Sequence, residues 1–465
     1  MDDLFWARSQ MAFSLGFHIV FASISMVMPF YMALAHRRYL RTRDPVYLRL
    51  TKAWSKGAAV LFATGAVSGT ALSFQLGLLW PGFMEHAGPI IGMPFSLEGA
   101  AFFVEAIFLG LFLYGWGRLS ERVHFWCGVM VGVCGVASGV LVVAANGWMN
   151  APAGFVWTES GATDINPWAA MFNRAWPLQS LHMQVAALQA TGFAAAGLHA
   201  FAVLRGRNLG FHRAALAIIL PLTVLASLVQ PLVGDRSAKD VAERQPEKLA
   251  AMEAHFRTAA RAPLFVGGIP NEANESVPLA LEIPAGLSFL AFGDPNATVL
   301  GLDEYAPADR PPVLVPHLAF QAMVGIGTLL AAVAAFWGMA RWRRPTWLES
   351  RRFLWLLVGL TPLGFVALEA GWFVTELGRQ PWIIYRIMRT AEAVTPVPGL
   401  GVTFAALALL YGVLGILSFG LLLRLFAIEL RSEDASDSPH AAQGGSGSSG
   451  QGDSDEIAPT GEDMS

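Results

Sequence analysis

Apolar residues in this chain come in long unbroken runs rather than in alternation. Nine runs stand out, at roughly residues 10–35, 57–80, 94–117, 124–147, 179–204, 213–234, 316–340, 353–375 and 401–427. Each meets the roughly 20 residues that a helix needs to cross a hydrocarbon layer. A segment in lipid has to satisfy its own backbone, and the helix does so. The pattern predicts an all-α protein, a polytopic bundle of about nine transmembrane helices. Six of them lie within residues 1–234 and three within 316–430. Between the two groups, residues 235–315 form an extramembrane segment. It has one helical stretch, Glu247 to Phe256, followed by Pro- and Gly-rich loops. A connection this long in a compact protein is more often functional than idle. Residues 431–465 are rich in Ser, Gly, Asp and Glu. Such a tail cannot bury a core and is expected to be disordered.

Composition supports the membrane reading. The chain is 54% hydrophobic and 14% charged, with mean hydropathy +0.49, too little charge for a soluble domain of this length. A net charge of −3 gives no reason to expect nucleic acid as a partner. Cys127 and Cys134 fall within one apolar run and read as helix packing, and no C-x-x-C-H occurs to attach a c-type haem. The opening residues, MDDLFWARSQ, lack the basic region of a cleaved signal, so the first run is expected to stay as a helix. With the N-terminus outside, the inner segments 36–56, 118–123, 205–213, 341–352 and 424–431 carry nineteen Lys and Arg, against five on the short outer segments. This asymmetry predicts an outer N-terminus, an extracytoplasmic 235–315 segment and a cytoplasmic C-terminus.

Chemistry enters where ionisable or soft side chains interrupt the runs. These are His18, Glu98 and Glu105, His182 and His199, Met323, and Glu369 and Glu376. Such groups are expensive in hydrocarbon and mark function by default. A lone membrane histidine is also often a packed residue, and a lone Met is core by default. In the predicted topology, however, His18, Glu98, His182, Met323 and Glu376 fall in the outer third of the bilayer. His, Met and Glu at one depth suit a metal or haem iron held between helices. Glu98 and Glu105 are seven apart and share a helix face about 10 Å apart along the axis. They suit a proton relay, or alternatively two helix–helix hydrogen-bonding groups. His36 and His199 lie beside arginines and read as interfacial. The run ending Gly371-Trp372-Phe373-Val374-Thr375-Glu376-Leu377-Gly378-Arg379-Gln380-Pro381-Trp382 places Glu376 and Arg379 on one helix face. Two readings of this edge stand open: an interfacial anchor with Trp372 and Trp382 in an aromatic belt, or a functional carboxylate.

The GWFVTE and GRQPW stretches resemble subunit I of the cytochrome bd quinol oxidases. The resemblance runs from about Leu4 to Arg431. Ser9-Gln10-Met11-Ala12-Phe13 with Gly16-Phe17-His18 is similar to the family's first helix, and implies His18 as the haem d ligand. Leu97-Glu98-Gly99 and Phe102-Phe103-Val104-Glu105 imply Glu98 as a second group at haem d and Glu105 as a proton-path carboxylate. His182 and Met323 match the two axial ligands of haem b558. Glu376 matches the ligand of haem b595, with Arg379 beside it and Trp372 close by. Asn146-Gly147-Trp148-Met149 resembles the family's outer loop. Gly234-Asp235 opens the quinol loop, in which Lys248 and Glu253 match the quinol-oxidising residues. Many members carry Arg where this chain has Gln321. With the short quinol loop, this resembles the cyanide-insensitive branch, in which a third haem b can replace haem d.

The resemblance implies a quinol:O2 oxidoreductase of the bacterial cytoplasmic (inner) membrane, paired with a second membrane subunit. Glu253 would take a quinol proton and Lys248 would orient the ring oxygen. Electrons would enter at the His182/Met323 haem, and cytoplasmic protons would pass Glu105 and Glu98. A haem-bearing quinol dehydrogenase is the alternative. A transporter would need internal repeats and broken mid-bilayer helices, and no repeat is visible.

Overall fold

The computed structural model describes residues 3–158 and 161–431. The rest of the expected tail, with His440, lies outside the described residues. In chain order the helices are α1 (Asp3–Thr42), α2 (Pro45–Leu79), α3 (Pro81–Tyr114), α4 (Glu121–Asn150), α5 (Pro167–Met171), α6 (Trp176–Leu204), α7 (Leu209–Arg244), α8 (Pro246–Met252), α9 (Gly286–Phe292), α10 (Leu314–Arg343), α11 (Arg351–Leu360), α12 (Leu363–Leu377), α13 (Thr390–Ala393) and α14 (Leu400–Arg431). Among the described residues, nine helical spans are long and apolar enough to cross a membrane, with α11 and α12 together making the eighth. Four two-stranded antiparallel ladders lie in the connections.

Local chemistry sets several helix starts. Asp44 accepts from the Val46 amide ahead of Pro45, Ser120 caps α4 through the Val123 amide, and Ser350 caps α11 through the Phe353 amide. The eighth span is two helices rather than one. Pro362 has no amide hydrogen to continue the ladder, so the chain turns at Thr361-Pro362. That turn packs hard against α6: a Cβ added at Gly197 would lie 2.0 Å from Thr361 Oγ1, and one at Gly364 would lie 2.5 Å from Ala190 Cα. Small residues let membrane helices approach to backbone distance.

Several boundaries differ from expectation, among them the start of α2 at Pro45 rather than near residue 57. α7 does not end at Gly234 but runs to Arg244. Two i,i+4 ion pairs, Lys239 to Asp235 and Arg244 to Asp240, carry the helix past its apolar run. α3 begins at Pro81 and contains Pro89 and Pro94; neighbouring membrane helices let a spanning helix tolerate the bonds that prolines remove. The helix expected over Glu247–Phe256 stops at Met252, because Ala254 takes a left-handed conformation (φ 52°) and the His255 amide bonds back to Ala250 O at 2.8 Å.

The main core lies between α1, α2, α4, α6, α7, α10 and α11 around Tyr31, Met32, Phe193, Ile219 and Leu357. A second cluster around Trp80, Phe83, Ile90 and Trp148 joins the start of α3 to the end of α4 and to residues 383–400. The residues after α8 pack against α7 and α10 through α8, α9 and the hairpin Leu264–Gly267/Ala280–Ile283.

Candidate functional site

The functional side chains occupy four helix pairs. On α1, His18 Nδ1 is 2.9 Å from Ser68 Oγ of α2. The adjacent α2 position is Gly69, where a Cβ would stand 3.0 Å from His18 Cε1. On α6, His182 meets α7: Gln230 Nε2 lies 3.3 Å from its Nδ1, and a Cβ at Gly234 would lie 3.5 Å from its Cε1. On α10, the Met323 sulfur would lie 2.9 Å from a Cβ at Gly371 of α12. Each soft donor thus faces a glycine on the neighbouring helix, where a larger side chain would fill the space beside it. Trp372, next to Gly371, is partly buried.

The fourth pair is α12 with α4. Asn146 Nδ2 donates to Glu376 Oε1 at 2.7 Å, and Arg379 Nη2 donates to Glu376 Oε2 at 2.6 Å. The Arg379 side chain is 2% exposed, which rejects a headgroup anchor for it and supports the functional reading of this edge. Asn146 belongs to the last turn of α4, not to a loop. Its carbonyl oxygen and Oδ1 both accept from Asn150 Nδ2, at 2.9 and 3.2 Å. Asn150 Oδ1 in turn accepts from Lys248 Nζ at 3.0 Å. A continuous hydrogen-bonded line therefore runs from Lys248 through Asn150 and Asn146 to Glu376 and Arg379. Lys248 fits because residue 378 is glycine: a Cβ there would lie 2.9 Å from Lys248 Cγ.

Lys248 and Glu253 lie outside the spans and are both buried. Burial, and then the Arg379 charge, bring the Lys248 amine down to about 7. Burial pushes the Glu253 carboxyl up to about 8, and its Oε2 makes no hydrogen bond. Glu253 is not part of the line. Glu247, one residue before Lys248, accepts from Tyr385 Oη at 2.7 Å and from Arg386 at 3.5 Å.

Glu98 and Glu105 stand on α3 facing α4. Ser138 donates to Glu98 at 2.7 Å, and Glu105, 5% exposed, lies beside Gly135 and Met26. The carboxylates share one helix face, as their spacing predicts. Glu369 of α12 has no assigned role in the sequence, yet its Oε2 reaches Gly16 of α1, two residues from His18, and its Oε1 has no hydrogen-bond partner. His36 and His199 are buried among protein side chains, 2% and 6% exposed. His199 packs in the core with His212, Nδ1 to Nδ1 at 2.8 Å, and accepts from Trp54 Nε1 at 3.2 Å. His124, His212, His255 and His317 are buried too.

Gln321, where the resemblance has arginine in many members, contacts the hairpin. Its side-chain amide donates to Phe265 O at 2.9 Å and accepts from the Gly267 amide at 3.1 Å, so it pairs with one edge of the hairpin as a strand would. His317, one turn earlier on α10, bonds to Met252 O at 3.1 Å.

The donor set can be tested against a prosthetic group. Among the described residues no three His, Cys, Asp or Glu side chains converge to hold a bare metal ion. Imidazole and thioether donors, each beside a glycine of the neighbouring helix, with carboxylates on other helices, would instead suit an iron already held in a porphyrin.

Comparison with known proteins identifies the family. The family described as cytochrome bd terminal oxidase subunit I matches residues 6–429. A Bacillus subtilis (strain 168) protein, named provisionally as a cytochrome bd menaquinol oxidase subunit I, is 38% identical over 89% of this chain and 94% of its own length. The cytochrome bd ubiquinol oxidase subunit 1 of the same organism is 30% identical over 95% of this chain and 96% of its own. The solved bd oxidase structure from Geobacillus thermodenitrificans superposes with a TM-score of 0.87 at 38% identity, covering 92% of this chain and 99% of that one. A multi-pass helical membrane bundle, matched end to end by these relatives, belongs to the cytochrome bd terminal oxidase subunit I family.

Proposed function

We propose that the chain is the haem-bearing subunit of a quinol:O2 oxidoreductase in a bacterial cytoplasmic membrane, working with a second membrane subunit. The observation that carries this reading is the line from Lys248 to Glu376, because it ties the extramembrane segment directly to the span carrying the terminal carboxylate. His182 and Met323 would hold a b558-like haem. Glu376 would hold a b595-like haem, and His18, with Glu98 nearby, a haem d or a third haem b. When bound, these groups supply one-electron relay and the iron at which O2 is reduced.

The protein's own residues do the rest. Quinol binds at segment 235–315 on the outer side, and Lys248 orients its ring oxygen. Its amine, near neutral in charge balance at physiological pH, both donates and accepts. Glu253, buried and matched to neutral pH, takes the quinol proton as general base. Asn146 and Arg379 fix the Glu376 carboxylate in one orientation, and Trp372 lies between Gly371, which backs Met323, and that carboxylate in the α12 sequence. Glu105 and Glu98 carry protons from the cytoplasmic side along α3. Quinol protons released outside and chemical protons taken from inside separate charge without a pump.

The test is a pyridine haemochrome spectrum of the purified complex together with O2 uptake driven by a quinol. Several haems per complex and quinol-dependent uptake are expected. Haem without O2 uptake would make the protein a quinol dehydrogenase, and no haem would overturn the reading.

A further inference from the structure

The connection between α7 and α10 presents an apolar face that none of the described residues covers. In the hairpin register Leu264 pairs with Ile283 and Val266 with Leu281, so these four share one face. Val266, Leu281 and the adjoining Leu279 are 44%, 67% and 90% exposed. Glu282 alternates to the other face. Glu282 is exposed there, while Gln321 bonds to backbone groups at the hairpin edge, Phe265 O and the Gly267 amide, and clamps that edge onto α10. The hairpin is therefore held by its inner edge with its leucines turned outward. α9 behaves alike: Leu287 and Ala291 are buried while Phe289, Leu290 and Phe292 are exposed.

These residues adjoin the outward stripes of two spans. Leu279 and Ile269 share a shallow groove with Leu314, the first residue of α10. Leu314, Val315 and Leu318 are exposed in turn. α9 packs on α7, whose Leu225, Leu228 and Leu232 are exposed. Between Leu264 and Phe292 the chain has no Lys or Arg and three acids. Two of those are already engaged, Glu272 by the Val313 amide and Glu275 by Arg257. A contiguous apolar patch with so little charge marks a contact surface, and its continuity with the span stripes sets what it contacts.

We infer that hairpin Leu264–Ile283 and α9 are seated in the bilayer leaflet at that end of α7 and α10, with acyl chains against Val266, Leu279, Leu281 and Phe289. This is a lipid contact and stands apart from the quinol reading. The test uses the assembled complex in lipid nanodiscs, with nitroxide labels on Leu279→Cys and, separately, Leu281→Cys. Cys127 and Cys134 are buried, 4% and 6% exposed, and label poorly; the unsubstituted complex gives the background. Collision with O2, which concentrates in lipid, is expected to exceed collision with a water-soluble nickel chelate at both sites. The nickel chelate prevailing would place the hairpin in water and overturn the inference. Exclusion of both reagents would assign the face to a partner polypeptide and overturn it equally. Because both positions are already exposed, the substitutions leave packing intact, and a normal haem spectrum checks this.

Discussion

The pH dependence of quinol oxidation offers the sharpest test of the extramembrane site. Glu253 is fully enclosed, and burial alone raises its carboxyl to about 8. A general base acts only when ionised, so the rate should rise with pH up to that value and level off above it. With a midpoint near 8, the ionised fraction is about 9% at pH 7 and about half at pH 8, a gain of about fivefold in kcat/KM across that unit. Lys248 loses its proton near 7, lowered first by burial and then by Arg379; its neutral fraction rises only about 1.8-fold between pH 7 and 8, so with the neutral amine serving the ring oxygen most of the limb belongs to Glu253. Glu253→Gln keeps the size of the side chain and removes the base. It should cut turnover at pH 8 far more than at pH 6, flatten the limb between pH 7 and 8, and leave haem content unchanged. The assay is O2 uptake by the purified complex with a soluble quinol, over pH 6 to 9, with the haem spectrum recorded at each pH. A variant that retains the fivefold limb would remove Glu253 from the base role. Loss of haem in the variant would mean the residue is structural.

Four further outcomes are expected. His182→Ala should remove one low-spin b-type absorbance and quinol oxidation with it; an unchanged spectrum would reject His182 as a ligand. Gly371→Val would press a side chain against the Met323 sulfur from 2.9 Å, and should shift the same absorbance in redox titration while the other bands hold. Gln321→Ala should free the Phe265–Gly267 edge and raise amide exchange at Gly267, whose partner is the Gln321 carbonyl, without affecting α12. Glu105→Ala should slow O2 reduction at saturating quinol while leaving quinol KM unchanged; normal turnover would put the proton route elsewhere.

The spans were legible in the sequence because hydrocarbon forces one solution on any apolar run of sufficient length. Their ends were not, because polar chemistry sets them. α7 passes Gly234 through ion pairs among Asp235, Lys239, Asp240 and Arg244, charges that look like the start of a loop in a hydropathy pattern. Pro89 and Pro94 suggest a later start for α3, yet the helix runs through both. The ionisable residues inside the apolar runs were also visible, but their partners were not. Asn146 and Glu376 are 230 residues apart, and no local pattern links them. Asn150 and Asn146 read as polar residues of a loop because a helix end and a loop share composition. Gln321 registered as a missing arginine; its paired amide contacts with Phe265 and Gly267 exist only once the hairpin is folded. His36 and His199, near the ends of α1 and α6, were read from their flanking arginines, while their rings pack against His124, Trp54 and His212 inside the fold.

Two of the fastenings of segment 235–315 differ in kind. At one, Lys248 enters the Asn150–Asn146–Glu376 line and is gripped between α4 and α12. At the other, His317 and Gln321 of α10 hold Met252 and the hairpin edge. Gln321 is two residues from Met323, and Lys248 is three hydrogen bonds from Glu376. The distance between the Lys248 amine and the α12 carboxylate is therefore set by rigid helices rather than by the loop's own stability. Removing the α10 clamp leaves the Lys248 line intact, and breaking the Lys248 line leaves the hairpin docked. The two attachments should respond independently to substitution, as expected for contacts with no shared partner. If Gln321→Ala and Asn150→Ala prove additive in quinol KM, the loop is positioned from both ends. Strong non-additivity would mean that α8 and the hairpin move as one body, and that the position of Lys248 depends on a hinge near Glu253 and Ala254 rather than on the spans.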